Sequence, residues 1–112
     1  MKIAIPLAGG RICQHFGHSE FYAMVEVDRA AGAIESIEML KPPPHGPGVI
    51  PDWLHGLGVD LVIAASMGTR AQQLFQGKGI EVLLGASEDV PEKIVGSYLD
   101  GTLESGDNRC DH

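Results

Sequence analysis

The chain has 112 residues, 44% of them apolar, and a formal net charge of −7. That length and apolar share describe one globular domain with a single ordinary core and exclude a disordered chain. No apolar run reaches the roughly 18 residues of a membrane span, and no basic cluster exists, which excludes sequence-independent binding to nucleic acid or anionic membranes.

Lys2–Leu7 is a short apolar run stopped by Gly9-Gly10 and is predicted as the first strand, with too short an apolar stretch for a signal peptide. Arg11–Ser19 follows as a loop and carries Cys13, His15, Gly17 and His18. Glu20–Asp28 alternates, with Phe21, Ala23, Val25 and Val27 on one face and Tyr22, Met24, Glu26 and Asp28 on the other. That pattern predicts a half-buried strand. Ala33–Leu40 returns after the Arg29–Gly32 turn, so the first three strands form an antiparallel meander.

Lys41–Gly48 (KPPPHGPG) holds four prolines, which remove backbone donors and fix φ. It is predicted as a stiff, extended loop presenting His45. Pro51–Leu57 is predicted as a helix burying Trp53, Leu54 and Leu57, closed by Gly56 and Gly58. His55 on that helix reads as a surface or packed histidine. Leu61–Ala65 has the continuous apolar character of a fully buried strand. Ser66–Arg70 then turns into a helix reaching about Gln76, where Thr69 and Gln72 have capping-box spacing. Ile80–Leu84 is the fifth strand. Asp89 is expected to cap a third helix that buries Val90, Ile94, Val95, Tyr98 and Leu99 and ends at Gly101. The expected architecture is α/β: a mixed sheet of about five strands, a three-strand meander plus βαβ crossovers, with about three helices. Residues 1–103 would be one domain, and 104–112 a flexible tail bearing Cys110 and His112.

Both cysteines, and every histidine but His55, fall outside the predicted helices and strands, as core-filling residues would not. A thiolate and imidazoles within Cys13–His18, with His45 and the closing Cys110-Asp111-His112, are ligand types for zinc, copper or iron, although the spacing matches no standard zinc motif. A cytoplasmic location, with reduced thiols available for metal or redox work, is expected of such a chain. Ser66-Met67-Gly68-Thr69-Arg70 places Gly68 between a buried strand and a helix N-terminus. Backbone N–H groups there, with Arg70, favour an anion. The spacing of a nucleotide-binding P-loop is absent.

The opening strand, H-F-G-H-S-E-F-Y, P-P-P-H-G-P-G with its P-x-W-L helix, G-V-D-L-V-I, M-G-x-R-A and the closing C-D-H span nearly the whole chain. In order and extent they resemble the dinitrogenase iron–molybdenum cofactor biosynthesis family, in particular its small stand-alone members of the molybdenum–copper orange-protein type. The resemblance implies a ribonuclease-H-like fold that binds a metal–sulfur cluster or precursor, of iron or of molybdenum and copper with sulfide. It also implies that loops and positive groups can hold the cluster without direct ligation. It implies no nuclease, since the first strand carries no acid. A P-loop ATPase of the Mrp/ParA type or a cluster-acceptor protein is the partner it suggests.

The expected function is thus a non-catalytic carrier, with Cys13, His15, His18, His45, Cys110 and His112 as metal ligands and Gly17, Gly68 and Arg70 around the cluster. The rivals are an interaction module docking on an ATPase or cluster enzyme, and a thiol enzyme using Cys13 as nucleophile.

Overall fold

The computed structural model describes residues 1–13, 19–44, 46, 48–86 and 90–101. Its strands are β1 (Lys2–Ala8), β2 (Arg11–Ile12), β3 (Phe21–Asp28), β4 (Ala33–Leu40), β5 (Leu61–Ile63) and β6 (Glu81–Leu83). Its helices are α1 (Val49–Gly56), α2 (Thr69–Gly77) and α3 (Pro91–Asp100). The strands form one mixed sheet in the order β4-β3-β1-β5-β6, with β2 folded back against β1. β1 pairs antiparallel with β3, and β3 with β4, which is the expected meander. β5 runs parallel to both β1 and β6, as strands joined through crossover helices do.

Alternation along the strands supplies both sides of the core. Ile3, Ile5, Leu7, Ala23, Val25, Val27, Leu61 and Ile63 face α3, where Ile94 and Val95 meet them. Ala4, Tyr22, Met24, Val62 and Ala64 face the opposite side, covered by Ile50 and Leu54 of α1 and Phe75 of α2. Each fully buried large side chain is worth roughly 1.5–3 kcal/mol. β3 is therefore buried on both faces rather than one: α1, arriving from far along the chain, covers the face carrying Tyr22 and Met24.

Several local expectations are corrected. Arg11–Ile12 is strand, not loop, because Leu7 and Ala8 offer it an open flank of β1. α1 starts two residues earlier than expected and buries Ile50, Pro51 and Leu54, while Trp53 and Leu57 stay half-buried. Gly48, at φ 72°, admits the left-handed turn into it. Thr69 is the first residue of α2, not its cap. Gly68 takes the cap position, and the Gln72 side chain instead donates to the Met67 carbonyl at 3.0 Å. α3 is capped by Val90 with Pro91 at its first position. Asp89, the expected cap, lies outside the described residues. Among the described residues no helix is long and apolar enough to cross a membrane.

Candidate functional site

Because β1, β5 and β6 point the same way, and β3 begins and β4 finishes at the same end, one edge of the sheet gathers the loops. The connections after β1, β4, β5 and β6 all leave there. The strand order reverses between β1 and β5: from β1 the chain moves outward to β3 and β4, then crosses to β5 and β6. Crevices beyond the carboxyl ends of strands at such a switch point are where open α/β sheets place ligands.

Cys13 stands at that point. Its backbone N–H donates to the Pro6 carbonyl at 2.8 Å, extending the β1–β2 ladder by one step on the flank that β5 occupies lower down. On its other flank Pro6 pairs with Tyr22, and Tyr22 with Leu40. Leu40, Tyr22, Pro6 and Cys13 thus form one row across the sheet, about 14 Å long at the usual strand spacing. The row links the end of β4, from which the proline-rich loop departs, to the start of the Cys/His loop. The neck of that second loop is closed by Glu20, whose N–H donates to Leu7 O at 2.7 Å. The Glu20 carboxylate in turn accepts from Gly9 N–H at 2.8 Å.

The Cys13 thiol is only 5% exposed. Tyr22 is close enough to feel its charge. Burial pushes the Tyr22 phenol up to about 12, a side-chain hydrogen bond with Ser19 works against the rise, and negative charge at Cys13 adds to it. The Tyr22 ring also meets Trp53 of α1 edge to face, with centroids 5.4 Å apart. The sequence reading set Tyr22 on the face with Glu26 and Asp28 of a half-buried strand and missed this cluster.

Beyond the end of β5, Ser66 and Met67 are buried and Gly68 is extended, at φ −65° and ψ 154°. Gly68 is not required by strain or space, since an added Cβ would meet nothing within 4 Å. No side chain caps α2, and Arg70, in its first turn, is exposed, so this helix end carries the positive end of the dipole and a guanidinium together. On the α3 side of the same edge, Leu7, Gly10, Glu20, Phe21 and Met39 line a groove of about 310 Å³. Phe21 is 47% and Met39 51% exposed.

Of the predicted site residues, Cys13, Gly68 and Arg70 are placed at this edge. His15, Gly17, His18, His45, Cys110 and His112 lie outside the described residues. Among the described residues no three His, Cys, Asp or Glu side chains are grouped to hold a metal ion. His55 sits exposed in the last turn of α1, as expected of a surface histidine. Gly101, where the described chain stops, is at the opposite edge: α3 runs away from the site and brings the Tyr98 hydroxyl 4.0 Å from Met1 Sδ.

Comparison with known proteins adds three findings. The family model described as dinitrogenase iron–molybdenum cofactor matches residues 1–101. An uncharacterized protein of Methanocaldococcus jannaschii, MJ0580, is 30% identical over 109 residues, covering 93% of this chain and 90% of its own. Two solved structures share the fold at 22% identity. PH0822 has a TM-score of 0.89 over the full length of both chains. The apo form of the orange protein from Desulfovibrio gigas has a TM-score of 0.75 over 96% of this chain and 93% of its own.

Proposed function

The chain belongs to the dinitrogenase iron–molybdenum cofactor family, and on that premise we propose that it is a carrier, not a catalyst, whose cargo is a metal–sulfur cluster or its precursor. The observation that carries this reading is the gathering of its soft and anion-binding groups at one sheet edge: the Cys13 thiol, the first-turn amides of α2 and the Arg70 guanidinium. The donor set suits a sulfide-bridged anion. Thiolate is a soft ligand for iron, copper or molybdenum, and helix amides with a guanidinium favour negative charge. Cys13, His15, His18, His45, Cys110 and His112 are the ligands we assign to the cargo, with Gly17, Gly68 and Arg70 around it. A cluster-acceptor protein and a P-loop ATPase of the Mrp/ParA type are the partners this role implies, and the cytoplasm its place.

Metal and acid-labile sulfide analysis of protein purified without oxygen, with its visible spectrum, tests the proposal. Iron, molybdenum or copper near one equivalent, with sulfide and a charge-transfer band, is the expected result. Protein that is colourless and takes up neither iron–sulfide nor thiomolybdate refutes it. The apolar groove beside Phe21 and Met39 favours a second reading, a module that docks on an ATPase or cluster enzyme and binds no metal. Metal-free protein that binds such a purified partner would support that reading instead.

A further inference from the structure

β4 is the outermost strand on its side of the sheet. Every second residue of such a strand turns its N–H and C=O away from the one neighbour it has. Among the described residues no strand or loop backbone bonds to that outer side of β4, and none of its eight residues is buried. The opposite edge, β6, is three residues long and offers little to pair with. β4 lacks the Lys and Pro that commonly blunt a long edge and carries Glu35 and Glu38 instead.

The two faces beside this edge differ. On the α3 side Met39 pairs with Ala23, and Phe21 stands two residues before Ala23 on the same face, so Met39 and Phe21 are diagonal neighbours. They are the only large apolar side chains exposed among the described residues, and both line the 310 Å³ groove. On the α1 side Ser36 pairs with Glu26 and Glu38 with Met24, and these residues line a second cleft of about 360 Å³. The one ammonium lining it, that of Lys2, already donates to the Leu57 carbonyl at 2.8 Å. Glu38 is in no ion pair among the described residues.

We propose that the free edge of β4 takes an extended segment of a partner protein as an added strand, one whose side chains alternate apolar and basic. The apolar ones enter the groove of Phe21 and Met39, the basic ones meet Glu38 on the other face, and backbone bonds to β4 hold the segment. Charge decides against other occupants. Two copies of this chain paired antiparallel about the middle of β4 would set Glu35 of one against Glu38 of the other, with a net charge of −7 on each. The chain's own residues 102–112 offer one apolar Leu103, and three acids against a single Arg109. The surface uses no assigned cargo ligand, so the proposal goes beyond the carrier reading and stands without it.

The test uses the metal-free protein and a blocked synthetic peptide of the same eight-residue length as β4, lysine alternating with valine. Anisotropy of the labelled peptide reads affinity, and amide hydrogen exchange reads location. The expected result is binding that protects β4. N-methylation of either the lysine or the valine amides, whichever set faces β4, should abolish it, and methylation of the other set should be tolerated. A peptide of the same composition with lysines and valines in separate blocks should bind several-fold more weakly, as should one with glutamate for lysine. Glu38→Lys is expected to weaken the lysine peptide several-fold and strengthen the glutamate one, and Met39→Ser to weaken both; both positions are exposed, so the fold should persist. Equal binding of the alternating and blocked sequences would show charge attraction alone and overturn the proposal. No binding, protection away from β4, or a dimer that protects β4 without peptide would overturn it as well. Tetrathiomolybdate uptake, measured separately, keeps the two ideas apart. Uptake without peptide binding sinks this proposal alone, and peptide binding without uptake sinks the carrier reading alone.

Discussion

The rings of Tyr22 and Trp53 stand 5.4 Å apart at 82°, one buried in the sheet and the other half-buried on α1. Edge-to-face pairs of this kind add about 0.5–1.5 kcal/mol beyond the area they bury. This one joins a strand to a helix whose sequence neighbours are otherwise the proline-rich loop.

Trp53 is the chain's single tryptophan, which makes its emission a reporter of the site. Loading with a coloured metal–sulfide species is expected to quench it by at least half, since Trp53 lies one ring away from Tyr22, which feels Cys13. A stoichiometric titration followed at the tryptophan band checks this. Emission unchanged by a bound, coloured cargo would place that cargo elsewhere.

Alkaline pH should weaken the fold through Tyr22. Its folded-state pKa is raised to about 12 while the unfolded phenol titrates near 10. Between those values the unfolded chain has given up a proton that the folded one still holds. Stability is thus complete below pH 10 and is lost as pH rises toward 12, by on the order of 2–3 kcal/mol. Urea unfolding at pH 8 and pH 11.5 should show this loss in the wild type and a clearly smaller one in Tyr22→Phe.

Under the carrier reading, Cys13→Ser combined with Cys110→Ser is expected to cut metal occupancy sharply. Arg70→Gln is expected to weaken uptake of an anionic cargo several-fold, most visibly at low salt, without changing the unfolding midpoint. Metal analysis and denaturant titration of the same preparations measure both. Full occupancy in the double cysteine variant would exclude thiolate ligation and leave binding by amides and Arg70.

Phe75→Ala should cost about 3–5 kcal/mol, because this fully buried ring anchors α2 to the sheet. Lys78→Ala removes the ion pair between Lys78 and Asp52 that joins α2 to α1. Asp52 is exposed and Lys78 partly so, and the loss should stay under about 1 kcal/mol. Equal effects of the two substitutions on the denaturant midpoint would contradict this division between core and surface.

Most of the fold was legible because its signals are local. Period-two alternation marked β3, a continuous apolar run marked β5, and Gly101 ended α3 where the sequence placed its stop. What escaped depends on partners distant in sequence. The two-residue β2 exists only because β1 offers it a free flank, and Tyr22 is buried only because α1 returns over it. Thr69 and Gln72 had the right spacing for a cap, but Gly68 already accepts the Gln72 amide, which leaves the Gln72 side chain to the Met67 carbonyl. For the site, residue types at Cys13, Gly68 and Arg70 were readable. Their common edge was not, because it follows from the parallel pairing of β1 with β5.

The direction of α3 sets a leash length for the rest of the chain. It brings Tyr98, one turn before Gly101, against Met1, which lies five strand residues, about 17 Å, from the level of Pro6 and Cys13. From Gly101 to Cys110 is nine residues, at most about 30 Å when drawn straight. Cys110 can therefore touch the Cys13 edge only by spending about half or more of that contour on the journey. Shortening that stretch by four residues would leave a contour of about 17 Å and remove the slack.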